Sequence, residues 1–268
     1  MQLPIYQVDA FANRAFEGNP AAVIPLKEWL SDELMQQIAI ENNLSETAYF
    51  IEREGHFDLR WFTPGFEVDL CGHATLATAH TIFEHLDYQK SAIHFHTKSG
   101  ELIVKKVANG YQMDFPADFI KAVDCPDVLA EGLGFEPTHC YKGKDDYVVI
   151  VATEAELISL DLDFRQIAKL DSRGLIVTAP SEKYDFVSRC FFPQAGIDED
   201  PVTGSAHTAL TPYWANRLNK TSLSAKQISA RGGEVLCELQ GERVLLSGNA
   251  VTFLKGDFLN CRSAAMPK

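Results

Sequence analysis

This chain has no Cys-x-x-Cys pair, no basic N-terminal segment leading into an apolar run, and no stretch approaching the roughly 18 apolar residues of a membrane-spanning helix. These absences set the expectations: no membrane span, no secretory leader, and a reducing cytoplasm in which Cys71, Cys125, Cys140, Cys190, Cys237 and Cys261 are thiols, most of them small core residues. Positive charge is also scarce. Lys and Arg number 24 against 37 Asp and Glu, and the net charge of -13 repels phosphate backbones and anionic lipid surfaces. Neither nucleic acid nor a membrane is expected as a partner. A small anionic substrate must therefore be held by local donors, such as the N–H groups at helix N-termini, against the sign of the overall field. Neither G-x-G-x-x-G nor G-x-x-x-x-G-K-[ST] occurs, so no nucleotide cofactor is expected. His94 and His96 alternate on one strand face, but no third ligand lies nearby in sequence and no metal is expected.

What is present is an ordinary globular composition, 46% hydrophobic and 23% charged over 268 residues, and a partial self-repeat. Arg60-Trp61-Phe62-Thr63-Pro64 and Arg189-Cys190-Phe191-Phe192-Pro193 both read R-x-F-x-P after strand-like sequence. Each proline is followed by an acidic, loop-like stretch, GFEVDL or QAGIDEDPV, and then by a small-residue turn opening a helix. These turns are Cys71-Gly72-His73-Ala74-Thr75 and Thr203-Gly204-Ser205-Ala206-His207. Gly72 and Gly204 are 132 positions apart (204 less 72), close to half the chain.

Short β-branched and aromatic runs predict strands over 5–9, 21–25, 47–52, 57–62, 92–97, 101–106, 110–115, 147–152, 174–178, 185–191, 227–231, 234–239 and 243–253. Helices are predicted over 31–42, with Ser31 as N-cap, and over 73–86, 126–133, 164–170 and 205–218. Apolar residues cover more than one face of the segment from His73, which suits a helix surrounded by sheet. Pro212 should kink or shorten the last helix. The pattern favours an α+β chain of two strand-rich halves, 1–116 and 117–268, each wrapped around a central helix. The boundary falls near the Asp114-Phe115-Pro116 turn, and the last strand is free to cross over to the first half.

Four strings in order, QVDAF with FEGNPAAV, NLSETAYF at 43–50, LRWFTPGFEVDLCGHATLATA at 59–79 and GIDEDPVTGSAHTAL at 196–210, resemble the phenazine-biosynthesis PhzF-like family. The resemblance implies a diaminopimelate-epimerase-like fold, two pseudo-symmetric β-barrel-like domains each around a helix, with the ligand site between them. It also implies a cofactor-independent isomerase acting on a small carboxylated metabolite, and extends to a homodimer that no sequence patch here marks.

In such a site two facing helix N-termini would together hold a carboxylate, with Gly72 and Gly204 letting substrate approach the backbone. Glu46 sits in a polar turn at the edge of the apolar strand Ala48-Tyr49-Phe50, where partial burial would raise its pKa. Such a carboxyl both removes and returns a proton, as a double-bond shift or an inversion at carbon requires. Read alone, Glu46 is first a solvated turn acid or a capping residue. The resemblance assigns it the acid/base role. Read alone, His73 is more readily structural, and Ser205 is equally expected as a simple N-cap. By resemblance His73, Asp200 and Ser205 orient substrate or relay protons. Asn19, in Gly18-Asn19-Pro20, reaches the site or merely sets a turn. Epimerases of this fold pair two cysteines, one at each helix opening; here Cys71 fills the first position but Thr203 the second, so two-cysteine chemistry is not supported. Two other readings remain at this level: an epimerase or racemase using Cys71 with another partner, and a protein that binds a small acid without chemistry.

Overall fold

The computed structural model describes residues 2–259, and Cys261 lies outside them. The described chain divides into two compact units, one formed by residues 2–113 with 248–259 and the other by Asp114–Ser247. The elements run β1 (Leu3–Ala10), β2 (Asn19–Leu26), α1 (Asp32–Asn42), β3 (Glu46–Glu52), β4 (Phe57–Phe62), β5 (Glu67–Val68), α2 (Gly72–His85), β6 (Ala92–Thr97), β7 (Gly100–Val107) and β8 (Gly110–Pro116). There follow β9 (Lys121–Ala122), α3 (Asp127–Leu133), β10 (Cys140–Lys142), β11 (Asp146–Ile150), α4 (Glu154–Ile158), α5 (Phe164–Ile167), β12 (Gly174–Ala179), β13 (Phe186–Phe192) and β14 (Ile197–Asp200). The chain continues through α6 (Gly204–Leu218), β15 (Ser222–Gln227), β16 (Gly233–Gln240), β17 (Arg243–Gly248) and β18 (Ala250–Phe258). Among the described residues no helix is long and apolar enough to cross a membrane.

The repeat seen in two short strings extends through both units. In the first, β1 and β2 pair antiparallel, β2 and β3 parallel, β3 and β4 antiparallel, short β5 antiparallel on β4, β4 and β6 parallel, and β6, β7 and β8 antiparallel in turn. In the second, β10 to β17 follow the same order of antiparallel and parallel pairings, with short β14 in the place of β5. Each parallel step is bridged by helix, as parallel strands require a crossover. In the first unit α1 joins β2 to β3 and α2 joins β5 to β6; in the second α4 and α5 join β11 to β12, and α6 joins β14 to β15.

The repeated arginine has the same job in both units. Arg60 on β4 grips Glu67 on β5 through Nε and Nη2 at 2.7 and 2.9 Å, and Arg189 on β13 grips Glu199 on β14 at 2.7 and 3.0 Å. Glu67 and Glu199 each stand five residues before the glycine that opens the central helix. Each bidentate pair fixes the short acidic strand and hence where the helix begins. The stretches expected as loops thus contain strands, which their acidic composition concealed.

The core follows strand alternation and helix faces. Met35, Ile38 and Ala39 of α1 pack with Ile24, Tyr49 and Phe62, and the Tyr49 hydroxyl donates to the Met35 carbonyl at 2.7 Å. In the second unit Leu129, Leu157 and Ile167, from α3, α4 and α5, pack on Leu175, Val177 and Phe191. Each of the Leu, Ile, Val, Met and Phe side chains contributes about 1.5–3 kcal/mol on burial. Every residue of α2 from His73 to Ile82 is buried, and the helix packs against β1, β2, β3 and β18.

Three expectations need correction. Strand β15 ends at Gln227 instead of spanning 227–231, because Leu223, Ala225 and Gln227 form its inward face and Ser229 closes a turn on the Pro201 carbonyl at 2.8 Å. The run 243–253 is broken at Asn249 into β17 and β18. Pro212 does not shorten α6, which continues to Leu218. Proline has no N–H for the Thr208 carbonyl, and the Asp118 amide donates to that oxygen instead at 3.1 Å.

Candidate active site

In the first unit, the starts of β2, β3 and α2 bring Asn19, Glu46 and His73 together. Gly18 makes the first placement possible: its φ is +68°, and a Cβ there would lie 2.1 Å from the Ala10 carbonyl oxygen. The Asp9 carboxylate accepts from the Phe16 amide at 2.9 Å and steadies the same connection. Glu46 is placed by the end of α1. Asn43 adopts φ 47°, its amide donates to the Ala39 carbonyl at 3.2 Å, and the chain enters β3 three residues later with Glu46 opposite Ala21 of the parallel β2. Asn42 Nδ2 donates to Thr47 Oγ1 at 3.0 Å and holds the turn.

Glu46 Oε2 lies 2.8 Å from His73 Nε2, with side-chain exposures of 12% and 7%. Neither atom completes an aligned hydrogen bond, so a buried carboxylate oxygen and a buried imidazole nitrogen sit against each other with bonding capacity unspent. On the far edge of the ring, Nδ1 is 3.2 Å from Asn19 Nδ2 and 3.5 Å from Cys71 Sγ. These contacts on the Nδ1 edge turn Nε2 toward Glu46. Burial opposes charge on His73, but Cys71 and Glu46 outweigh it and raise the imidazole pKa well above its ordinary value. Glu46 is the partner that acts near neutral pH, because burial, reinforced by Glu46, pushes the Cys71 thiol up to about 11 and keeps it uncharged.

Glu46, Cys71 and His73 also place three metal-type donor atoms within 4.8 Å of one another.

In the second unit Asp200 ends β14 and Gly204 opens α6. Asp200 is buried, and its Oδ2 accepts from Thr203 Oγ1 at 2.5 Å. Ser205 is the second residue of the helix and not its N-cap, which is Thr203. The two caps match: Cys71 has φ -145°, ψ 108° and Thr203 φ -113°, ψ 104°, and neither makes a side-chain cap bond. Gln227 was missed by sequence reasoning. It is fully buried, accepts from the Thr203 amide at 2.8 Å and donates to the Asp200 carbonyl at 2.7 Å, latching the approach to α6. A glutamine on the inward face that Leu223 and Ala225 otherwise make apolar was the available signal.

Two similar units, each a sheet around one central helix with the same cap geometry, define an α+β protein of epimerase-like fold. A structure of a predicted epimerase from Pseudomonas aeruginosa shares that fold with a TM-score of 0.75 at 19% identity, covering 96% of this chain and 99% of that one. Residues 8–256 match the PhzC-PhzF family, phenazine biosynthesis-like protein. The chain is 52% identical over 256 residues to an uncharacterized isomerase of P. aeruginosa, covering 96% of this chain and 98% of that protein. A crystal structure of a PhzF family protein from Enterococcus faecalis aligns with a TM-score of 0.93 at 45% identity, covering 97% of this chain and 100% of that one. The chain belongs to the phenazine biosynthesis-like PhzC-PhzF family, and by kinship with relatives named as isomerases it is an isomerase.

Proposed function

We propose that this isomerase moves a proton on a small carboxylate-bearing metabolite without a cofactor, with Glu46 as the proton carrier. The observation that supports the reading is the buried Glu46–His73 contact at 2.8 Å, in which neither atom spends its hydrogen-bonding capacity elsewhere. The Glu46 carboxylate takes a proton from a carbon acidified by a neighbouring unsaturated or carboxyl group, and the C–H electron pair passes into the conjugated system. The neutral acid, whose proton exchanges with solvent, then delivers a proton to another carbon, leaving Glu46 as it began. His73, held at Nδ1 by Asn19, presents Nε2–H to Glu46 and orients it. The opening turn of α2, with no side-chain cap bond of its own, offers N–H donors to the substrate carboxylate. Asp200, Gly204 and Ser205 are assigned orienting roles at the matching turn of α6.

Cys71 is the weaker candidate for the proton carrier. With a pKa of about 11, only about one thiol in ten thousand is ionised near pH 7. At the position matching it, the Thr203 hydroxyl is engaged by Asp200.

The test is solvent deuterium incorporation into a panel of small unsaturated and amino-substituted carboxylic acids. Glu46→Gln, shown to be folded, loses incorporation while Cys71→Ala retains it. Undiminished exchange by Glu46→Gln removes Glu46 from the mechanism, loss in Cys71→Ala turns the reading to cysteine chemistry, and stabilisation by acids without any incorporation by the wild type reduces the protein to a binder.

A further inference from the structure

We propose that His56, Asp58 and His96 form a binding site for one divalent transition-metal ion, zinc being the best-matched, on the first unit and apart from Glu46. The sheet itself builds the triad. In β4 Phe57, Leu59 and Trp61 alternate into the core, so Asp58 stands on the opposite face, and His56, two residues before it, shares that face. In β6 Ile93 and Phe95 are buried, so His94 and His96 stand on the opposite face. The parallel register pairs Phe57 with Phe95 and, beside them, Asp58 with His96. Slipping this register by one residue would turn the phenylalanines out of the core, so the packing that fixes the strands also fixes the three polar groups.

The geometry is close to what an ion needs. The imidazoles of His56 and His96 stack with centroids 3.8 Å apart at 24°, and His56 Nε2 is 3.3 Å from Asp58 Oδ1. One donor atom from each residue lies within 4.8 Å of the other two. Bonds of about 2.0–2.2 Å in a tetrahedral site put donors about 3.3 Å apart, so a contraction of at most about 1.5 Å closes the site. Rotations of exposed and half-buried side chains supply it without moving the backbone. Two imidazoles and a carboxylate are a donor set for zinc and its neighbours rather than for calcium or magnesium, and three protein ligands leave a fourth position open. Arg53 Nε donates to Asp58 Oδ2 at 2.7 Å, leaving Oδ1 turned toward His56, the orienting contact that metal-binding carboxylates characteristically receive. His94 is not part of the site: its Nδ1 is paired with Glu101 Oε1 at 2.8 Å.

The experiment is isothermal titration of zinc, repeated with cobalt for its visible spectrum, into the chelator-stripped full chain. The wild type should bind one ion with the spectrum of a four-coordinate nitrogen and oxygen site. His94→Ala and Cys71→Ser should retain it, while His96→Ala and Asp58→Asn should weaken it about tenfold or more. His96→Gln repeats the test should the alanine variant melt early. The proposal is overturned if zinc does not bind, if several weak ions bind with no response to His96 or Asp58, or if binding is lost in Cys71→Ser with a sulfur-to-cobalt band in the wild type, which would move the ion to Cys71.

Discussion

Glu46→Gln removes a charge at nearly constant volume, so it measures what Glu46 does to His73 with little change in packing. In the wild type burial opposes the imidazolium, and at neutral pH the Glu46 carboxylate is what overcomes it. Two unit charges about 4 Å apart interact by about 4 kcal/mol at an effective dielectric of about 20. Loss of the carboxylate removes that support and lowers the His73 pKa. Burial then dominates, and the group falls from well above to below the ordinary imidazole value of about 6.5. The stability profile must change sign with it. A folded pKa above the unfolded one gives stability that is fully present below about pH 6.5 and lost as pH rises through the folded value, with a slope of up to about 1.4 kcal/mol per pH unit. In Glu46→Gln the same group makes stability rise with pH up to about 6.5 and level off above it. The assay is the NMR titration of the His73 ring proton, assigned by its loss in His73→Gln, with urea unfolding at intervals from pH 5 to 9. A His73 resonance in Glu46→Gln that titrates at or above its wild-type position would refute the reasoning.

Other perturbations test the scaffold. Gln227→Ala leaves the Thr203 amide and the Asp200 carbonyl without their buried partner and should cost about 2–4 kcal/mol in urea unfolding. Gly18→Ala should destabilise by about 2–4 kcal/mol in the same measurement, since it combines a positive φ with a Cβ inside the Ala10 carbonyl. The Arg60 hydrogen bond, opposed by burial and aided by Lys98, holds the Glu67 carboxyl below its usual range. Its contribution is therefore present above about pH 4.5 and lost as pH falls through the lowered value. Glu67→Gln should cost about 1 kcal/mol at pH 7 and flatten that part of the acid unfolding curve.

Much of this architecture is legible in the sequence because it is written twice. The matching arginines and glycines announced two similar halves, and the all-round apolar character of α2 announced a helix inside a sheet. The short strands β5 and β14 escaped because their stability lies in Arg60 and Arg189, distant partners that local composition cannot report. Helix α4 escaped because five residues carry too little periodicity. At the site, Glu46 and Asn19 were singled out by motif, but their meeting with His73 depends on parallel pairing of β2 and β3 across an intervening helix. The partners of His96 were invisible for the same reason: they come from a neighbouring strand.

The pairing of β1 with β18, from Leu3 opposite Phe258 to Ala10 opposite Ala250, sets the order of events in synthesis. Residues 114–247 are continuous and complete while the ribosome is still translating, whereas the first strand waits for the last to emerge. The unit made first is therefore finished last, and until then β1 offers one open edge to whatever else can pair with it. Loss of residues 250–258 should expose that edge and send the chain into aggregates even though the Glu46 segment itself is intact.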